Sequence, residues 1–178
     1  MHGGRWSASE RLLLLITIAS VAAMVAMAWV RLRPRPAPRM EIPGVAGIHL
    51  DSLSLLTDGG RHSLSLRTGR PRLIYLFATT CEYCSAEQAR VKAMLTPLDT
   101  SEYLTGSLEP TQVTAGYWGR GPVPPPVSIA VASWERMRVD RTPTLVVVGG
   151  DGVIKHAVAA DFNRWRPSDA ADMLKANP

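Results

Sequence analysis

The sequence predicts an α/β domain preceded by an apolar N-terminal helix. Three observations predict it. From Leu50 onward, short runs of alternating or β-branched apolar residues recur between clusters of Gly, Pro and Asp, which is how strands and their turns read. Between these runs lie stretches whose apolar residues repeat at helical spacing. Near the start, Leu12 to Val30 carries no charge and only two weakly polar side chains, Thr17 and Ser20. The division expected is a tail over residues 1–11, an anchor over 12–30, a linker over 31–43 and a folded domain over 44–178.

A helix of about 20 apolar residues spans a bilayer core, so Leu12–Val30 qualifies as a transmembrane anchor, with Trp29 suited to the interface. The rival is a cleaved signal peptide, with Arg5 and Arg11 before the apolar stretch and Ala26-Met27-Ala28 as the cleavage site. Apolarity continuing through Val30 favours the uncleaved signal-anchor. Residues Arg31 to Pro43 interleave Arg31, Arg33, Arg35 and Arg39 with Pro34, Pro36 and Pro38, a semi-rigid spacer. The chain carries 20 Lys and Arg against 15 Asp and Glu. Much of that excess sits beside the apolar segment, which points to lipid headgroups rather than nucleic acid.

Within the domain, Leu53 and Leu55 alternate with serines, Asp58-Gly59-Gly60 supplies a turn, and Leu64 and Leu66 alternate again, so Leu50–Leu66 reads as a hairpin. Gly69-Arg70-Pro71 breaks the chain before a strand at Leu73–Phe77. A helix is expected from Cys81 or Glu82 to about Leu95, its inner face set by Cys84, Gln88, Val91, Leu95 and Leu98. Pro97 should push Thr96 out of the α region and end it. Residues Thr100–Pro126 look like an irregular excursion with a short strand near Tyr103–Leu108. Val127–Met137 reads as a helix, Thr144–Val148 as a strand, Gly149–Gly152 as a tight turn and Val153–Val158 as the returning strand. Ser168 is the expected N-cap of a last helix running to Lys175.

Cys81 and Cys84 are the only cysteines. Two residues between them, at a strand-to-helix junction, put both sulfurs on one helical turn. There the N-terminal N–H groups and the helix dipole favour a thiolate. A single bridge over two residues staples nothing, so a disulfide scaffold is excluded. A zinc site lacks its other half, since His49, His62 and His156 show no metal-like spacing; no metal and no cofactor are expected. Downstream, Thr142-Pro143 immediately precedes the Thr144–Val148 strand, where a proline costs no ladder bond.

In this order of elements the chain resembles the thioredoxin-like TlpA/ResA group of membrane-anchored thiol–disulfide oxidoreductases. The matching parts are the hairpin with Asp58-Gly59, Gly69-Arg70-Pro71, the segment Phe77-Ala78-Thr79-Thr80-Cys81-Glu82-Tyr83-Cys84, Thr142-Pro143-Thr144, and Asp151-Gly152. The likeness runs from about Gly47 to Lys175. It implies a thioredoxin-like mixed β-sheet flanked by helices, with an N-terminal β-hairpin and Pro143 as a cis-proline beside the dithiol. It also implies Cys81 as nucleophile, Cys84 as resolving thiol, and Tyr83, Thr142 and Pro143 as the surface that meets a substrate. The expected partners are proteins carrying cysteines or disulfides and a membrane electron donor.

Three departures from the pattern stand out: Thr80 replaces an aromatic, Tyr83 replaces a proline, and Tyr75 occupies the place of thioredoxin's buried acid. Glu82 and Glu87 read as an ordinary acidic first helical turn. The arginine count on either side of the anchor favours a cytoplasmic domain, whereas thiol chemistry favours an extracytoplasmic, periplasmic one, and the chemistry is preferred. The competing readings are a copper-delivery protein, because soft thiolates suit Cu(I), and a non-catalytic interaction module.

Overall fold

The run Leu73–Phe77 becomes the core strand of an eight-stranded sheet. The structure is a computed structural model that describes residues 17–25, 40–159, 162 and 165–177. Residues 17–25 are helical (α1). No helix among the described residues is long and apolar enough to cross a membrane. The expected span Leu12–Val30 extends past α1 at both ends, outside the described residues, and the tail 1–11 and linker positions 31–39 also lie outside them.

The strands are β1 (Met40–Glu41), β2 (Ser52–Thr57), β3 (Gly60–Ser65), β4 (Arg72–Leu76), β5 (Tyr103–Ser107), β6 (Val127–Ile129), β7 (Thr144–Val148) and β8 (Ile154–Ala159). The helices after α1 are α2 (Glu82–Leu95), α3 (Thr111–Thr114), α4 (Val131–Arg136) and α5 (Asp169–Lys175). The sheet order is β1-β8-β7-β4-β5-β6-β2-β3. β4 pairs parallel with β5 and antiparallel with β7, and β5 pairs parallel with β6, so the sheet is mixed.

Side chains alternate across β4, and both of its faces are covered. Leu73, Tyr75 and Phe77 join Val91, Met94 and Leu95 of α2 and Met173 and Leu174 of α5 in one core. Ile74 and Leu76 face the other way, onto Leu53, Ile129, Met137, Val146 and Val148. Two-sided burial explains why β4 and β7 are continuous apolar runs rather than alternating ones. Each fully buried aliphatic or aromatic side chain contributes roughly 1.5–3 kcal/mol.

The hairpin forms as expected: Thr57 pairs with Gly60 across the two-residue loop Asp58-Gly59. The helix expected from Cys81 or Glu82 spans Glu82–Leu95. Several details differ from expectation. Thr96 stays in the α region (φ −54°, ψ −40°), and its N–H donates to the Lys92 carbonyl. The helix therefore ends at Pro97 itself, which has no N–H to continue the ladder. The buried face of α2 carries Glu87 rather than Gln88. Val127–Met137 is not one helix, because Val127–Ile129 is a strand between β5 and β2. Its β-branched residues fit a pleated position there, and Ala130 N–H then donates to the Ser54 carbonyl, turning the chain into α4. Ser168 does not cap α5 with its side chain; the Asp169 carboxylate accepts from Arg166 N–H instead. The sheet also begins earlier than Gly44, since Met40–Glu41 pairs with β8.

Arg138, just past the Met137 cap of α4, has a φ of 52°, in the left-handed region. Its N–H donates to the Glu135 carbonyl, closing the helix. Glycine takes that conformation without the Cβ penalty. Arg138→Gly is expected to stabilise the fold by about 0.5–1 kcal/mol, read as a raised denaturant midpoint with an unchanged slope.

Candidate functional site

Cys81 is the N-cap of α2, with extended backbone (φ −83°, ψ 112°), and its sulfur accepts from the Cys84 N–H at 3.1 Å. The Cys81 carbonyl accepts the first intrahelical bond, from Ser85 N–H. A helix dipole and an N–H aimed at one sulfur stabilise negative charge on it. The two sulfurs are joined as a disulfide, with Cα atoms 5.2 Å apart. Cys84 is fully buried, whereas Cys81 is half-buried. The pair is thus asymmetric, with one sulfur reachable from outside and one inside the core.

The Thr142–Pro143 peptide is cis. The Thr142 carbonyl oxygen lies 3.5 Å from the Cys81 sulfur. The structure therefore brings Cys81, Cys84, Thr142 and Pro143 together. The loop is held from within by the Thr144 hydroxyl, which donates to the Arg141 carbonyl at 2.8 Å, and by a paired Asp140–Arg141. Tyr83 projects beside the disulfide and is 74% exposed, the most exposed large apolar side chain among the described residues.

Beneath Cys84 lies a group of aromatic and polar side chains. Tyr117 stacks on Phe77 with ring centroids 3.9 Å apart, and its hydroxyl donates to the Cys84 carbonyl at 2.9 Å. The Gln88 amide donates to the Tyr117 carbonyl. Trp118 donates from its indole N–H to the Thr105 hydroxyl at 3.1 Å. Tyr75 is fully buried, and its hydroxyl interacts with that of Tyr117 without hydrogen-bond geometry. Burial pushes the Tyr75 phenol far above its usual range, and Tyr117 and Glu87 push the same way, so it stays neutral.

Two carboxylates are held on segments next to the disulfide, Glu87 on α2 and Glu109 through Thr79. Glu87, three residues beyond Cys84, is only 7% exposed and contacts Arg90 at 3.8 Å. The acidic-first-turn reading of Glu87 is thereby corrected, because the turn of the helix points it inward beside Cys84. Its spacing from Cys84 was the available signal. Glu109 sits just after β5 and accepts from Thr79 N–H at 2.8 Å, the Thr79 hydroxyl at 2.6 Å and the Ser107 hydroxyl at 3.0 Å. No local pattern marks Glu109, since its partner Thr79 is thirty residues away. Among the described residues, no three His, Cys, Asp or Glu side chains come together as a metal site.

Burial alone would raise the Glu109 pKa, but the Thr79 and Ser107 hydrogen bonds outweigh it and hold the carboxyl below the usual range. A depressed carboxyl stabilises the fold above its unfolded pKa, and that stabilisation fades as pH falls through the folded value. Between pH 5 and pH 3, or roughly so, Glu109→Gln is expected to lose less stability than the unaltered chain, measured as the change in urea midpoint.

No family model matches the chain, and no curated protein matches it. Solved structures do match. The Thermus thermophilus thio-disulfide isomerase is 19% identical, with a TM-score of 0.52, over 74% of this chain and 95% of that one. The Streptococcus pneumoniae exposed lipoprotein thioredoxin Etrx1 is 14% identical, with a TM-score of 0.51, over 70% and 98%. DsbF of MTB is 18% identical, with a TM-score of 0.50, over 70% and 92%. The chain has a thioredoxin-like fold. In this chain Cys81 caps the first long helix after the core strand, beside the Thr142-Pro143 loop.

Proposed function

We propose that the protein is a thiol–disulfide oxidoreductase of the TlpA/ResA type, acting on protein disulfides through Cys81 and Cys84. The observation that carries this reading is the asymmetric pair: a reachable Cys81 at a helix N-cap, bonded to a fully buried Cys84 and 3.5 Å from the Thr142 carbonyl. In the reduced protein the Cys81 thiolate attacks a partner disulfide, forming a mixed disulfide and releasing one partner thiolate. Cys84 then gives up its proton and attacks the Cys81 sulfur. The internal disulfide re-forms and the second partner thiol leaves. Two electrons have passed to the partner; the proton released by Cys84 goes on to the second leaving sulfur, and the first leaving thiolate takes its proton from water.

In this reading Glu87, buried one turn from Cys84, takes the Cys84 proton. Thr142 and Pro143 offer backbone to an extended substrate segment, and Tyr83 supplies an exposed apolar contact beside the mixed disulfide. The Thermus thermophilus thio-disulfide isomerase, whose fold this chain shares, supports the same chemistry. The test is reduction of insulin by the protein with dithiothreitol as electron source. A precipitation rate no higher than that of dithiothreitol alone would sink the reading.

The apolar stretch Leu12–Val30 and the Arg/Pro-rich linker support a domain tethered to a membrane; the thiol chemistry, against the arginine count, favours its extracytoplasmic side. There a dedicated reductase, fed by a membrane electron donor, would maintain selected thiols in an oxidising compartment. A membrane-impermeant thiol reagent, applied to intact cells after mild reduction, should label Cys81. Labelling that appears only after lysis would place the domain on the other side.

A further inference from the structure

Among the described residues, Glu109 is the one carboxylate seen joining the strand layer to the turn that carries Cys81. Its Oε2 accepts from Thr79 N–H at 2.8 Å and from the Ser107 hydroxyl at 3.0 Å, and its Oε1 accepts from the Thr79 hydroxyl at 2.6 Å. Ser107 belongs to β5 and is fully buried. The same Ser107 hydroxyl accepts from Glu109 N–H at 3.1 Å, so the residue is held at its backbone as well as at its carboxylate. Thr79 stands two residues before Cys81, and the Cys81 N–H donates to the Ala78 carbonyl at 3.2 Å, closing the turn between them. All three donors to Glu109 are neutral groups. None of the ion pairs among the described residues involves it. The charge is therefore held in place without a cation to cancel it.

A negative charge held close to a sulfur disfavours the thiolate and so favours the bonded pair. Two extended residues span at most about 7 Å of backbone, so the carboxylate, hydrogen-bonded to Thr79, lies on the order of 10 Å from the Cys81 sulfur, within electrostatic reach at a partly desolvated position. We propose that Glu109 is a positioning residue of the exchange reaction: it locks the Ala78–Thr80 turn that presents Cys81, and its fixed charge biases the cysteine pair toward the disulfide, making the reduced protein a stronger electron donor. This rests on the oxidoreductase reading and adds the direction in which the site is poised. Glu82, exposed next to Cys81, adds to the charge but is open to solvent and more strongly screened.

The experiment is redox equilibration of the protein with reduced and oxidised glutathione at pH 8, with the rate of Cys81 attack on a disulfide reagent measured in parallel. Glu109→Gln keeps an acceptor for Thr79 N–H and removes the charge. It is expected to shift the equilibrium about three- to tenfold toward the dithiol, with attack rates within about threefold of the unaltered protein. Glu109→Ala removes the anchor as well and is expected to slow attack about tenfold or more. Thr79→Val keeps the charge and loses one donor, so its equilibrium should stay at the starting value. An unshifted equilibrium in Glu109→Gln overturns the proposal. So does an equal shift in Thr79→Val, which would assign the effect to packing. A Glu109→Gln chain that fails to fold makes the carboxylate a folding element and also overturns it. An unaltered protein that does not equilibrate with glutathione at all overturns the oxidoreductase reading, and this proposal with it.

Discussion

Cys84→Ser is expected to stop turnover and leave the protein covalently attached to its partners. Cys84 is the buried sulfur of the pair, and Cys81 is the one a partner can reach. Without Cys84, the mixed disulfide formed by Cys81 has no internal thiol to resolve it. Insulin reduction should fall by on the order of 10³-fold, and non-reducing gels should show adducts that vanish on adding dithiothreitol. Cys81→Ser should abolish activity equally, without adducts, because a serine hydroxyl is not a nucleophile at neutral pH without an activating base. Both serines fit the space of a thiol, so far-ultraviolet circular dichroism should be unchanged. Full turnover in Cys84→Ser, or adducts of equal yield in Cys81→Ser, would reverse the assigned roles.

Phe77→Ala is expected to be the most damaging single core truncation near the site. Phe77 is fully buried at the end of β4, stacked on Tyr117 at 3.9 Å and in contact with Tyr75 at 5.8 Å and Trp118 at 6.2 Å. Its N–H donates to the Gly106 carbonyl, so the backbone there is tied to β5 and the cavity cannot collapse freely. Loss of a buried phenylalanine costs about 3–5 kcal/mol, read as a drop in the urea midpoint. The effect should reach the chemistry too. Tyr117 holds the Cys84 carbonyl, and without the Phe77 ring beneath it that hydroxyl loses its fixed position. Insulin reduction at a temperature where the variant is still folded should fall several-fold. A variant as stable as the unaltered chain would show that this aromatic group is not a cohesive part of the core.

How much of this was legible in advance differs from element to element. The β2–β3 hairpin was legible because Asp58-Gly59 and the flanking alternation are local signals. The start of α2 was legible because a break, two thiols and helical spacing lie within a few residues. Val127–Ile129 was misread because a short apolar run has the same periodicity whether it is a buried strand or part of a helix. Only pairing with β5 and β2 makes it a strand. Glu87 was passed over because acidic residues are common in first helical turns, and only packing of α2 against β4 shows that this one faces inward. Glu109 had no signal, since its function as an acceptor depends on Thr79, brought to it by the parallel β4–β5 pair.

The amino-acid order by itself determined which residues carry the chemistry: two cysteines one helical turn apart, and a Thr-Pro step at a strand start. Those are properties of neighbours along the chain, set by backbone geometry and side-chain spacing. The folded arrangement alone decided which sulfur is buried, that the Thr142 carbonyl comes to 3.5 Å from Cys81, and which carboxylates close in around the pair. The Thr142–Cys81 and Glu109–Thr79 contacts join segments far apart in sequence. Such contacts follow from sheet order and strand register, which no local run of residues encodes.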